Sequence, residues 1–214
     1  MKERPIIFSA ESVRAILAGR KSQTRRVIKP QPIGFPGGPI PERGTYVFRY
    51  AGEHGDELKE IRCPYAVGDR LWVRETWIPD PPQDDSWDYY GFTDGEAYNF
   101  SALPKRFKKP AHVIYRASWN GPDLRWRSPI HMPRWASRLT LEVVESWPER
   151  LHDITEEGAI AEGCVPYIDP FENIQIISVT QIYAQLWEAL NAKRGYPWDA
   201  NPLVWVVEFK VGTL

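Results

Sequence analysis

The sequence has little of what marks a metal centre, a disulfide scaffold or a membrane protein. Only two of its 214 residues are cysteines, Cys63 and Cys164, and they lie far apart. There is no Cys-x-x-Cys pair, which excludes the common zinc and redox spacings and leaves no disulfide framework to read. Sparse cysteine fits a reducing compartment, so the expected location is cytoplasmic. The four histidines are scattered, without a His-x-x-x-His pair, and neither a metal nor an organic cofactor is expected. No apolar run is long enough to span a bilayer, and Ile6-Ile7-Phe8 is too short for a signal sequence. Excess charge is also missing: 27 Lys and Arg meet 28 Asp and Glu, for a net charge of −1. A polycation that coats nucleic acid is thereby excluded, and any anion site must be a local patch.

What is present can build a core. Hydrophobic residues make up 43% of the chain and ten are Trp, enough for one domain over residues 1–214. Val13, Ile16 and Leu17 recur at helical spacing after Ser9, and Gly19 follows as a stop, so a helix is expected over 10–18. Residues 24–28 read as extended, then Pro and Gly dominate 30–44. Strands are expected at 46–50, 70–77, 113–116, 138–145 and 203–209, where aromatic and β-branched residues concentrate. Asp153-Ile154-Thr155-Glu156 has the form of a capping box that opens a short helix stopped by Gly163. Tyr183, Leu186, Trp187 and Leu190 mark a longer helix over 179–192. The sum is a mainly β chain with flanking helices, best arranged as an antiparallel β-barrel.

Charge of one sign gathers in two places. Arg20, Lys21, Arg25, Arg26 and Lys29 follow the first helix, with no carboxylate before Glu42. Between Lys105 and Arg138, nine cations face one carboxylate, Asp123, with Trp119, Trp126 and Trp135 interleaved. That pattern suits single-stranded nucleic acid, and equally an aromatic-packed insertion with a solvated rim. Trp77, Arg134 and Trp135 are candidate base or phosphate contacts, with core packing the alternative for Trp77. Arg25 and Arg26 suit phosphate or a structural carboxylate such as Glu75, and on a strand they diverge, so that one of them faces any site.

Five segments, in this order, resemble the ASCH domain, a relative of the PUA fold. They are L-x-G-x-K-x-x-T-x-R at 17–26, G-D-x-L-x-V at 68–73, T-L-E-V at 140–143, A-x-x-E-G at 159–163 and V-x-V-V-E-F-K at 204–210. Residues at about 30–62 and 78–130 then stand as insertions, as in the longer ASCH proteins of phages and prophages. The resemblance implies a PUA-like barrel with a cleft for a nucleobase. It also implies the chemistry of small bacterial members that hydrolyse N4-acylcytosine nucleosides such as N4-acetylcytidine, whose catalytic Lys, Thr and Glu fall on Lys21, Thr24 and Glu162. Arg20, Arg25 and Arg26 would bind the substrate, a modified nucleoside or nucleotide. The alternative is a non-catalytic binder of RNA or single-stranded DNA that uses the same cleft and the basic insertion.

The chemistry sets its own conditions. Thr24 would attack the acyl carbon once a base removed its proton. Lys21 can be that base only in its neutral form, which burial and the neighbouring arginines favour and close pairing with Glu162 opposes. Glu162 would protonate the leaving amine or orient Lys21. On a regular strand residues 21 and 24 face opposite sides, so the Lys21–Thr24 pair requires a bend between them.

Overall fold

A computed structural model describes residues 1–34, 44–93, 98–168 and 175–212. Parts of both expected insertions, at 35–43 and 94–97, lie outside the described residues. The elements in chain order are β1 (Glu3–Ile7), α1 (Ala10–Leu17), β2 (Gln23–Val27), β3 (Thr45–Gly52), β4 (Gly55–Arg62), β5 (Arg70–Arg74), β6 (Trp77–Pro79), α2 (Tyr89–Phe92), β7 (Val113–Tyr115), β8 (Thr140–Arg150), α3 (Glu156–Ala161), β9 (Tyr167–Ile168), β10 (Gln175–Ile177), α4 (Val179–Asn191) and β11 (Leu203–Val211). The chain is mainly β with some helices. By its contacts it divides into two compact units. The first holds Met1–Lys2, Ala15–Arg70 and Leu141–Gly212, and the second holds Glu3–Arg14 and Leu71–Thr140.

In the first unit β11 is the central strand. It pairs antiparallel with β8 on one side and with β2 on the other, Val204 opposite Val27 and Glu208 opposite Gln23. All five residues from Leu203 to Val207 are buried, because this strand is covered on both faces. One face carries Val204 and meets Leu151, Ile154, Ala159, Cys164, Val179, Tyr183 and Trp187 from α3, α4 and their flanks. The other carries Trp205, which packs at 5.3 Å from Tyr46 and 5.6 Å from Phe48 of β3. β3 and β4 hydrogen-bond to each other as a two-stranded sheet.

Among the described residues the strands do not close into the expected barrel. The hairpin meets the β11 sheet through side chains such as Tyr46, Phe48 and Trp205, and its strands join that sheet by no ladder. Two further expectations are corrected. The expected strand over 70–77 is two, β5 and β6, interrupted at Glu75 and Thr76. The cap of α3 is Thr155 rather than Asp153: its side chain accepts from Gly158 N at 3.1 Å. α4 opens on a capping box between Ser178 and Gln181 that the sequence reading missed.

The second unit packs around aromatics. Trp77, Val113, Tyr115, Met132 and Ala136 form one cluster, and Trp87, Phe92, Leu103 and Phe107 another. Glu75, 1% exposed, accepts two bonds from the Arg138 guanidinium, each 2.9 Å, and that guanidinium lies 4.0 Å from the Tyr115 ring centre. Such a two-pronged pair compensates a buried carboxylate.

Candidate active site

Two glycines build the site. Gly19 ends α1 with φ +69°, its N–H bonding Ile16 O while the Arg20 N–H bonds Ala15 O. Gly163 ends α3 with φ +94° in the same way, its N–H bonding Ile160 O while the Cys164 N–H bonds Ala159 O. These are Schellman turns, which need the left-handed conformation that glycine adopts at least cost. They place Lys21 two residues beyond one helix stop and Glu162 one residue before the other. The two turns touch: a Cβ on Gly163 would lie 3.0 Å from the Ala15 Cβ and 3.2 Å from the Lys21 Cβ. A backbone bond from Ser22 N to Ala161 O, 2.8 Å, fastens them.

Lys21 and Glu162, 141 residues apart in sequence, meet there. The Lys21 Nζ donates to Glu162 Oε2 and, at 2.7 Å, to the Glu162 backbone carbonyl. Both side chains are almost wholly buried, 3% and 5% exposed. A carboxylate at a helix C-terminus faces the negative end of the helix dipole. A lysine that bonds both the carboxylate and the terminal carbonyl offsets that repulsion. Arg20 Nη1 adds a longer bond, 3.4 Å, to Gly163 O.

The second oxygen of Glu162 belongs to other residues. Arg25 Nη1 and the Tyr183 hydroxyl each donate to Oε1 at 3.4 Å. Arg25 is itself held by Glu149, Nε to Oε1 at 2.7 Å, and stands 5.8 Å from the Tyr183 ring centre. Lys21, Arg25, Glu162 and Glu149 thus balance two cations against two carboxylates. Burial and the adjacent Glu162 push the Tyr183 hydroxyl well above its ordinary range, which keeps it a donor. Burial, then Glu162, pushes the nearby Cys164 thiol up to about 11.

Thr24 does not join this cluster. The register of β2 with β11 is regular: Thr24 lies opposite Val207 and Arg25 opposite Val206. Val27 and Glu149 both lie opposite Val204, so Arg25, Val27 and Glu149 share the face that α3 and α4 cover. Thr24 and Arg26 share the other face with Trp205 and Val207. The ladder extends to Ser22, whose carbonyl accepts from Phe209 N, so no bend redirects Thr24 toward Lys21. The expected Lys21–Thr24 pair is corrected by strand parity, and Arg25 takes the place beside Lys21.

The remaining candidates fall elsewhere. Trp77 is 0% exposed and stacks on Phe100 with 5.7 Å between centres, so its ring has no face free for a base. Trp135 meets Trp77 edge to face at 6.2 Å. Arg134 pairs with Glu3 at 2.7 Å. These three belong to the second unit, as does Glu75, whose partner is Arg138 rather than Arg25 or Arg26. Sequence reasoning missed Tyr183 and Glu149 as polar partners, since one sits in an apolar helix stripe and the other at the end of a strand. The signal for Arg25 was available, because residues 21, 23 and 25 share one face. Among the described residues no group of three His, Cys, Asp or Glu is placed to hold a metal ion, and no helix is long and apolar enough to cross a membrane.

Comparison with known proteins adds one likeness. The chain is similar to a solved ASCH domain from Lactobacillus crispatus JV V101, with 12% identity and a TM-score of 0.39 over 98% of this chain and 79% of that one. No family model and no curated protein sequence matches it.

Proposed function

We propose that the chain is an ASCH-type, PUA-like protein that hydrolyses the amide of an N4-acylcytosine nucleoside or nucleotide, with Lys21 and Glu162 as its acid–base pair. The observation that carries this reading is the buried contact between the Lys21 Nζ and the Glu162 carboxylate, formed by the two residues that the L-x-G-x-K and A-x-x-E-G segments single out. A carboxylate hydrogen-bonded to a lysine can take a proton from an attacking group and deliver one to a leaving amine. Thr24 faces away from the pair, so water is the nucleophile in this reading. Water adds to the acyl carbon and gives a proton to the pair, and the C–N4 bond breaks. N4 then leaves as the amine with that proton, and the acyl group departs as a carboxylic acid that loses its own proton to solvent.

The test is incubation of the protein with N4-acetylcytidine, following cytidine release. Release by the wild type and its loss in Lys21→Ala and Glu162→Gln support the reading. No release defeats it. Salt-sensitive binding of an oligonucleotide in the absence of turnover would point instead to phosphate contacts and a binding protein.

A further inference from the structure

The Glu162 carboxylate is shared unequally. Oε2 faces Lys21, while Oε1 receives Arg25 and Tyr183. Arg25 also touches a second carboxylate, Glu149. Its fork therefore spans two elements, the end of β8 and the end of α3, and fixes the distance between them. Gly158 shows how closely that fork is fitted. A Cβ there would lie 2.9 Å from Arg25 Nη2 and 3.3 Å from Ile154 Cγ1. Gly158 lies inside α3 with no positive φ, so the space left for Arg25 accounts for a residue that weakens the helix.

We infer that Arg25, anchored by Glu149 and given room by Gly158, is a positioning residue that orients Glu162 toward Lys21 and the scissile amide. This rests on the hydrolase reading above and extends it to a residue at a variable position of the motif that suggested it. Arg25 holds Oε1 and so prevents the carboxylate from rotating. Oε2 is left as the oxygen that exchanges a proton with Lys21 or the leaving N4. The Tyr183 hydroxyl supports the same oxygen from α4.

Four variants test this by steady-state turnover of N4-acetylcytidine, with thermal unfolding measured beside each. Gly158→Ala adds a methyl group that displaces the guanidinium and alters no polar group. It should lower kcat about ten- to hundredfold, the cost of a lost charge-assisted hydrogen bond, while KM stays within about twofold. Tyr183→Phe keeps the ring in the core and should lower kcat by a smaller factor, also without change in KM. Arg25→Lys keeps the charge but cannot bridge two carboxylates with a planar fork. It should recover the unfolding temperature lost in Arg25→Met without recovering kcat. If Arg25→Lys restores turnover as fully as stability, Arg25 serves only charge balance and the inference fails. Wild-type kcat in Gly158→Ala also overturns it. An inactive wild type defeats the hydrolase reading and this inference together, an outcome distinct from an active wild type with indifferent variants.

Discussion

The buried quartet makes a prediction that does not depend on catalysis. Lys21, Arg25 and Glu162 have side chains only 3–5% exposed, so their charges are poorly screened by water. Together with Glu149 they sum to zero, and any single neutralisation strands one charge. Lys21→Met leaves Glu162 with Arg25 and Tyr183, which limits the cost to about 2 kcal/mol. Glu162→Gln deprives both cations of a carboxylate and should cost about 3–5 kcal/mol, the usual penalty for breaking a buried pair from one side. Lys21→Met/Glu162→Gln restores neutrality and keeps the Arg25–Glu149 bridge. The double variant should therefore be more stable than Glu162→Gln alone, with a coupling of about 2 kcal/mol or more. Urea unfolding followed by tryptophan fluorescence measures this, since 2 kcal/mol moves the midpoint by about 1 M. Costs that add to within about 0.5 kcal/mol would refute the argument, because independent sites behave that way.

Other predictions are simpler. Thr24→Val should turn over N4-acetylcytidine within about threefold of wild type, and a fall of a hundredfold or more would return the hydroxyl to the mechanism. The Cys164 thiol, raised from 9.0 to about 11, should be alkylated about a hundredfold more slowly at neutral pH than a free thiol, on ionisation alone. Mass mapping after iodoacetamide treatment checks this, and rapid labelling of Cys164 would contradict it. Burial pushes the Glu75 carboxyl above its usual 4.5, against the opposing pull of Arg138. A raised folded-state value favours the protonated form, so its contribution is full below the unfolded value and is lost as pH rises through the folded one. The unfolding temperature of the wild type minus that of Glu75→Gln should therefore fall as pH rises above about 4.5, and a flat difference would sink the assignment.

Local physics made much of the chain legible. Gly19 and Gly163 read as helix stops because each follows a helical pattern and few other residues accept φ near +70 to +90°. α1, α4 and β11 followed from apolar period and run length alone. The barrel was less legible, because closure depends on which strand edges meet, and no period in the sequence records that. The interruption of the expected 70–77 strand at Glu75 and Thr76 was hidden for a similar reason. Glu75 faces a half-buried Arg138 sixty-three residues away, and a strand pattern does not show where its ladder changes partner.

The candidate site divides along the same line. The sequence by itself determined the turns that carry Lys21 and Glu162, since glycine placement and capping act within a few residues. It also determined, through the two-residue period, that Lys21 sides with Arg25 and that Thr24 faces away, once β2 was a regular strand. Only the tertiary structure decided that Glu162 meets Lys21 across 141 residues, that Glu149 holds Arg25, and that Tyr183 reaches in from α4. Those contacts come from packing two helix ends against one face of a sheet, and packing is a property of surfaces far apart in the chain.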